Sequence, residues 1–416
     1  MKALRREITP LFILGLAVVI LVMALSTGWE ILFRLFYTIL GVMAISLLWA
    51  WANVRWLYYK HEIKTNRAQV GGQIEERLTL ENSSWLPKLW LEIRDDSTLV
   101  GRRGNRVIAL GSWARRAFTM TTPCLVRGEF NLGPVTVVSG DPFGLFRRHR
   151  KLSISGTVIV YPAITTLFSF ARLPGDLPGG NVQTQHTPFT TPNAAGVRDY
   201  QPGDSLNRIH WLSSARQGRL MTKEFDLDPL SDVWLVLDLD DQVQVGSGQD
   251  STEEWAVSVA ATLANYFVVR QRQVGLITQG RALAADRGDR QLHKVLDLLA
   301  VVRSNSSMPL EQLILSEENR FARGATMVVI TPSTDERWLA TCSLLMSRGV
   351  TVLAVLLEVS TFGAKASPLL SISSMAAAGI PSYLVRRGDD LAVALAQPNT
   401  GDGGLGAGRR EARVDG

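Results

Sequence analysis

The sequence predicts a membrane-anchored chain with two transmembrane helices, then a small β-sandwich-like module, then an α/β domain with a mainly parallel sheet. Three observations predict it. The first 54 residues carry two long apolar runs. From Gln69 to Tyr161, short alternating runs are broken by turn residues. From Val233 onward, continuous apolar runs alternate with amphipathic stretches.

With 416 residues the chain has room for an anchor and two soluble domains, at roughly 100–200 residues per domain. Its 46% hydrophobic and 20% charged residues suit a globular body with a modest membrane part. The net charge of +6 is too mild to argue for nucleic acid. Part of it is clustered, as at Arg147, Arg148, Arg150 and Lys151. Such a cluster either meets anionic headgroups or forms a solvated face. The two cysteines, Cys124 and Cys342, have no metal-ligand spacing and fit a reducing compartment.

The anchor is expected over 1–64, with helices at about 8–29 and 31–54. Ile8 to Trp29 holds no charged residue, and Leu35 to Val54 is a second uncharged run. Each approaches the roughly 20 residues that cross about 30 Å of hydrocarbon. Lys2, Arg5 and Arg6 precede the first run, and Arg55, Lys60, Lys64 and Arg67 follow the second. The turn from Ser26 to Glu30 has neither Lys nor Arg. The positive-inside rule therefore places both termini in the cytoplasm and the tight turn outside. Trp49, Trp51, Trp56, Tyr58 and Tyr59 form an inner aromatic belt, and Arg34 snorkels at the outer end. A cleaved signal peptide is the rival for the first run, but the second would still stop transfer. Two buried core helices are a poorer alternative, because neither run has a polar face.

The β-rich module is expected over 65–162, with strands at Gln73–Leu80, Trp90–Arg94, Arg106–Leu110 and Val135–Val138. Asp141-Pro142-Phe143-Gly144 has type I turn residues and is expected to lead the chain out of the module.

A linker and the densest motif occupy 163–230. Pro162 to Pro192 is rich in Pro, Gly and Thr. After it, Pro202-Gly203 makes a turn, Asp204 is the expected N-cap, and a helix is expected to run to Gln217 with Gly218 beyond its end. Leu206, Ile209, Trp211 and Leu212 give it an apolar side, and His210 and Ser214 share a face. A strand carrying Lys223 and Glu224 follows. Ser214 with His210 is the candidate catalytic pair of a hydrolase or transferase, though no oxyanion hole or orienting carboxylate is evident. The favoured reading is a hydrogen-bonded network that ties the helix to its neighbours and can serve as a partner surface.

The α/β domain spans 231–398. Its strands are Val233–Asp238, Val274–Thr278, Thr326–Thr331 and Thr351–Leu357, with a short last one at Ser382–Val385. Helical stretches lie at Glu253–Arg270, Arg290–Arg303, Asp335–Ser347 and Leu369–Ala378. Buried apolar strands alternating with such helices mean a parallel sheet covered on both faces, which binds ligands beyond the strands' carboxyl ends. Asp238, Asp240, Asp241, Gly280, Thr331 and Asp335 map to that edge. The tail, 399–416, is Gly-rich and polar and is expected to be disordered.

Arg198, Tyr200, Gly203, Asp204, Arg208, His210, Trp211, Ala215 and Arg216, followed by Asp238, resemble the signature of the bacterial domain of unknown function number 58 family. Arg127-Gly128, Leu132-Gly133-Pro134 and Asp141 to Phe146 resemble that family's upstream β region. The resemblance covers nearly the whole chain. It implies a von Willebrand factor A-like α/β domain and a cytoplasmic-facing adaptor at a bacterial inner membrane, and the lack of a nucleotide loop or a convincing catalytic set favours a non-enzymatic one. It also implies a MoxR-type AAA+ ATPase as partner, and a transglutaminase-like membrane protein as a further one. A von Willebrand factor A adhesion site would hold Mg²⁺ with Asp-x-Ser-x-Ser plus a Thr and an Asp from later loops. Here Asp238-Leu239-Asp240-Asp241-Gln242 keeps the first Asp and replaces both serines. Thr331 and Asp335 remain candidate ligands, so the acidic loop is either a metal-dependent binding site or a solvated loop. The favoured reading is no adhesion-type site and no cofactor.

Overall fold

A computed structural model of the chain describes residues 4–102, 105–152, 156–170, 194–201, 209–225, 232–364 and 368–398. Its first elements are α1 (Leu4–Thr27) and α2 (Glu30–Asn53), an antiparallel-length pair joined at Gly28, whose φ of 68° suits a residue without a Cβ. Both are long and apolar enough to cross a membrane. Most of their large side chains are uncovered, whereas Ala17, Ala24, Ser46 and Ala50 are buried. Small residues at the buried positions let two helix backbones approach closely, as spanning helices do.

Ten strands follow. They are β1 (Leu57–Ile63), β2 (Arg67–Gln69), β3 (Gln73–Asn82), β4 (Lys88–Asp95), β5 (Arg106–Leu110), β6 (Arg115–Pro123), β7 (Gly128–Leu132), β8 (Val135–Gly140), β9 (Arg147–Leu152) and β10 (Gly156–Tyr161). They form three sheets, ordered β1-β3-β6, β5-β4-β8-β9 and β2-β10-β7. Leu57 and Leu80 from the first sheet pack with Leu91, Ile93, Leu110, Val135 and Val137 from the second. That is sandwich packing, with alternate residues of each strand turned inward. Ile74, Leu132, Val158 and Val160 form a second small core.

Two expectations are corrected here. Tyr58 and Tyr59, read as interfacial aromatics, belong to β1, which pairs antiparallel with β3. Asp141-Pro142-Phe143-Gly144 does not lead out of the module, because it joins β8 to β9 in one sheet. Gly144 donates its backbone N–H to the Asp141 carbonyl at 3.2 Å, and the Asp141 carboxylate accepts from the Phe143 and Phe146 amides. The turn is as expected; its place in the topology is not.

Inside the sandwich lies a buried charge network. The Arg102 guanidinium meets Glu76 at 2.9 Å and Asp95 at 2.5 Å, and His61 Nε2 meets the same Glu76 carboxylate at 2.8 Å. All four side chains are buried. Tyr59 beside them has its phenol pushed well above the usual range, mainly by burial and further by the Asp95 carboxylate.

The end of α2 is tied to the same module. Asn53 Nδ2 donates to the Gly140 carbonyl at 3.0 Å, and Lys88 Nζ donates to the Ala52 carbonyl at 2.6 Å. A cation at a helix C-terminus complements the dipole there. Burial pushes the Lys88 amine down from 10.5 to about 8. A folded chain that holds this proton less tightly than the unfolded chain gains stability as pH rises from about 8 towards 10.5. Denaturant titrations of the full chain in detergent at both ends of that window should show the rise, and Lys88→Met should flatten it.

The remaining elements begin with β11 (Ala194–Asp199), α3 (Trp211–Gln217) and β12 (Met221–Phe225). They continue with β13 (Val233–Leu237), α4 (Thr252–Val269), β14 (Val274–Thr278), β15 (Arg281–Asp286), α5 (Asp289–Val301) and α6 (Leu310–Ser316). Last come β16 (Thr326–Thr331), α7 (Arg337–Ser347), β17 (Thr351–Leu357), α8 (Leu369–Ala377), β18 (Ser382–Val385) and α9 (Leu391–Ala394). By contacts the chain divides into two compact units, Met1–Ile164 with Leu296–Val302, and Thr165–Val295 with Arg303–Gly416.

The second unit is built on a six-stranded sheet ordered β15-β14-β13-β16-β17-β18. All neighbours are parallel except β15, which folds back antiparallel on β14. Every residue of β13, β14 and β16 is buried, which explains their unbroken apolar sequence. Trp234, Val236, Met327 and Val329 pack with Leu313 and Ile314 of α6 and Trp338, Cys342 and Leu345 of α7. Burying each such side chain contributes about 1.5–3 kcal/mol. Gly275 is required by this packing, since a Cβ there would lie 2.5 Å from the Trp234 ring.

Candidate functional site

Two places merit a chemical reading, the hairpin carrying the signature residues and the carboxyl edge of the six-stranded sheet.

The hairpin pairs β11 with β12 antiparallel, Arg198 standing opposite Thr222. Arg198, Lys223 and Glu224 occupy backbone positions on these strands. Gly203, Asp204 and Arg208 lie outside the described residues. The expected helix from Asp204 to Gln217 is shorter. Ile209 forms an isolated bridge with Thr222, and the helix begins only at Trp211. The bridge holds the chain extended immediately before the helix. His210 is the N-cap, its ring nitrogen Nδ1 accepting from the Ser213 amide at 3.3 Å and meeting the Ser213 hydroxyl at 2.7 Å. Gly218 ends the helix at φ 65°, as its sequence position predicts.

This geometry answers the catalytic reading. The Ser214 hydroxyl donates to the His210 carbonyl at 3.0 Å and accepts from the Met221 amide at 2.9 Å. It therefore serves the backbone and does not meet the imidazole. The imidazole meets Ser213 instead, with no carboxylate bonded to its ring among the described residues. A nucleophile needs a base held by an orienting group, and that arrangement is not present here. The predicted apolar side is also divided. Ile209 is buried, while Trp211 and Leu212 are 68% and 62% exposed. Ala215 and Arg216 are exposed as well, and Tyr200 is half-buried.

At the sheet's carboxyl edge, the chain runs outward from β13 to β14 and β15, then crosses to β16 on the other side. That reversal makes a switch point, where open parallel sheets bind ligands. Asp238 follows β13, Thr331 closes β16 and Gln279 follows β14, so three neighbouring strands deliver three polar side chains. Thr331 Oγ1 donates to Asp238 Oδ2 at 2.6 Å. Gln279 Nε2 donates to Asp238 Oδ1 at 3.0 Å, and the Asp240 amide donates to the same oxygen at 3.1 Å. Gln279 Oε1 accepts from the Leu239 amide at 2.8 Å, so both ends of its amide are engaged. Asp238 is buried, and burial pushes its carboxyl above the usual range against the pull of Thr331, the Asp240 amide and Gln279.

The other candidate ligands turn elsewhere. Asp240 Oδ1 accepts from the Gln242 amide, and its backbone bridges to Ser306. Asp335 binds the Arg337 guanidinium at 2.5 Å, and that contact holds its carboxyl below the usual range. Among the described residues, no group of three or more His, Cys, Asp or Glu side chains is placed to hold a metal ion. The residues present do not fit the Mg²⁺ of an adhesion-type site. A cation needs lone pairs aimed at it, whereas Asp238 is ringed by hydrogen donors. Gln279 completes that ring. It escaped the sequence reading because its polar amide belongs to no motif, although its neighbour Gly280 had been placed at this edge.

The family described as "Protein of unknown function DUF58" matches residues 196–359, which run from the signature hairpin through β17. "Uncharacterized protein YeaD" of Bacillus subtilis (strain 168) is 25% identical over 325 residues, covering 74% of this chain and 78% of its own. Among solved structures, proximal thread matrix protein 1 from the mussel byssus is 14% identical with a TM-score of 0.26, covering 30% of this chain and 38% of its own. The CARDB domain of the PF1109 protein from Pyrococcus furiosus is 13% identical with a TM-score of 0.19, covering 25% of this chain and 91% of its own.

Proposed function

We propose that this chain is a non-enzymatic, membrane-anchored binding protein whose cytoplasmic-facing α/β body has von Willebrand factor A-like architecture and docks a MoxR-type AAA+ ATPase. The observation that carries the docking reading is the exposed pair Trp211 and Leu212. Its hairpin spends its polar groups on itself. His210 caps the helix, Ser213 meets the imidazole, and Ser214 bonds the His210 carbonyl and the Met221 amide. What faces outward is an aromatic side chain with an aliphatic neighbour, the pairing that anchors protein interfaces.

Three further points support the reading. The sheet order, with its third strand reversed at the edge, suits a von Willebrand factor A-like body. The donor-filled environment of Asp238 favours a metal-independent version of it. Lys2, Arg5 and Arg6 before the apolar run of α1, and Arg55, Lys60, Lys64 and Arg67 after α2, favour two spans with both termini inside. A transglutaminase-like membrane protein is the proposed neighbour in the same assembly.

A photoreactive residue in place of the exposed Ala215, one turn along α3 from Trp211, tests the docking site in native membranes. The expected product is a crosslink to an AAA+ ATPase. Replacing Trp211→Ala should weaken that capture roughly thirtyfold, the loss of a ~2 kcal/mol anchor, with thermal unfolding unchanged. Membranes that yield the crosslinker-bearing protein but no AAA+ ATPase would sink the partner.

A further inference from the structure

A cleft of about 510 Å³ opens where α2 ends, between that end and the edge strand β9. Trp51, Arg55, Trp56, Arg148, His149 and Arg150 line it. No carboxylate is among its lining residues. Among the described residues, none of Arg55, Arg148 and Arg150 has an ion-pair partner. The Arg55 guanidinium lies over the Trp51 ring at 4.1 Å, and Arg150 Nη1 reaches the Val54 carbonyl at 3.4 Å. These contacts aim two cations at the cleft. Arg148 is exposed and makes no side-chain bond there, which leaves its donors for a ligand.

Every residue of β9 from Arg147 to Lys151 is exposed and basic or His. A charged edge strand also guards a sheet against pairing with another chain. Guarding an edge explains the charge, but not the two tryptophans and the arginine supplied from the end of an apolar helix. Aromatic rings at such a helix end sit at headgroup depth, and basic side chains beside them meet lipid phosphates. Guanidinium groups suit a phosphodiester because their forked donors match its paired oxygens.

We infer that this cleft binds the phosphate of an anionic phospholipid, at the level where α2 leaves the membrane. The inference rests on the reading of α1 and α2 as membrane spans. Headgroup binding at this collar would hold the sandwich at a set depth and make its seating depend on anionic lipid.

The test separates the two readings. The full chain is first reconstituted into nanodiscs of phosphatidylcholine alone, and failure to incorporate would overturn the membrane reading itself. Incorporated protein is then extracted from discs of equal phosphatidylglycerol and phosphatidylcholine, and its retained lipid is weighed by native mass spectrometry. The wild-type chain should retain phosphatidylglycerol over phosphatidylcholine by about thirtyfold, scaled to two basic contacts near the surface. The Arg55→Gln/Arg148→Gln variant should fall to near parity while incorporating normally. Equal retention of both lipids by the wild-type chain, or an unchanged preference in the variant, would overturn the inference. So would glycerol phosphate in solution that abolishes the preference at millimolar concentration, because the site would then be one for free anions.

Discussion

Arg102→Ala should destabilise the sandwich by about 3–5 kcal/mol, the cost of removing one partner from a buried ion network. The substitution leaves the Glu76 and Asp95 carboxylates buried, with the His61 imidazole as the remaining partner of Glu76 and the Ser97 hydroxyl as a donor to Asp95. Neither can replace a guanidinium that meets both acids at once. Arg102→Lys should recover only part of the loss, since an ammonium is a point charge without the fork that spans two carboxylates. Denaturant unfolding of the full chain in detergent, followed through hydrogen exchange of β3 and β4, would resolve the effect. A loss below about 1 kcal/mol would mean that water reaches the network and screens it.

Asp238→Ala should cost the α/β unit a similar amount, about 3–5 kcal/mol. It strands three donors, from Thr331, Gln279 and the Asp240 amide, at roughly 1–3 kcal/mol for each one left buried without an acceptor. Asp238→Asn should cost less, because its carbonyl still accepts from one side. The two variants also differ with pH. Because burial raises the Asp238 carboxyl above its ordinary 3.8, the folded chain holds that proton more tightly than the unfolded chain. This group's contribution is therefore full below 3.8 and declines as pH rises through its raised folded value. Asp238→Asn has no such proton, and the decline attributable to this site should vanish. Protection of the β13 and β16 amides, measured across acidic to neutral pH, reads both effects. Restoration of Asp238→Ala by millimolar Mg²⁺ would contradict the donor-filled site described above.

The sequence made some elements legible and hid others for physical reasons. The two apolar helices were readable because they are long and apolar enough to cross a membrane, and the strands β13, β14, β16 and β17 because burial on both faces leaves an almost wholly apolar run. Asp238 and Thr331 were readable for the same reason, as the first polar groups at the ends of such strands. Strand β1 was hidden because Tyr58 and Tyr59 follow a membrane-length helix and match an interfacial belt equally well. The start of α3 was hidden because Asp204 is a good cap locally, while the bridge between Ile209 and Thr222 is a tertiary contact that overrides it. Gln279 and Arg102 were hidden more deeply. Each works through partners remote in sequence, Asp238 for one and Glu76 for the other, and a loop amide or loop arginine announces nothing by itself.

The short passage from α2 to β1 has a mechanical consequence. Only Val54, Arg55 and Trp56 separate the two elements, and Asn53 and Lys88 bond across the junction. A flexible leash would let the sandwich sweep freely beneath its anchor. This junction acts more like a keyed shaft, so a tilt or twist of α2 turns the sandwich with it. With α2 spanning the membrane as proposed, bilayer thickness, which sets the tilt of a spanning helix, becomes an input that the sandwich feels.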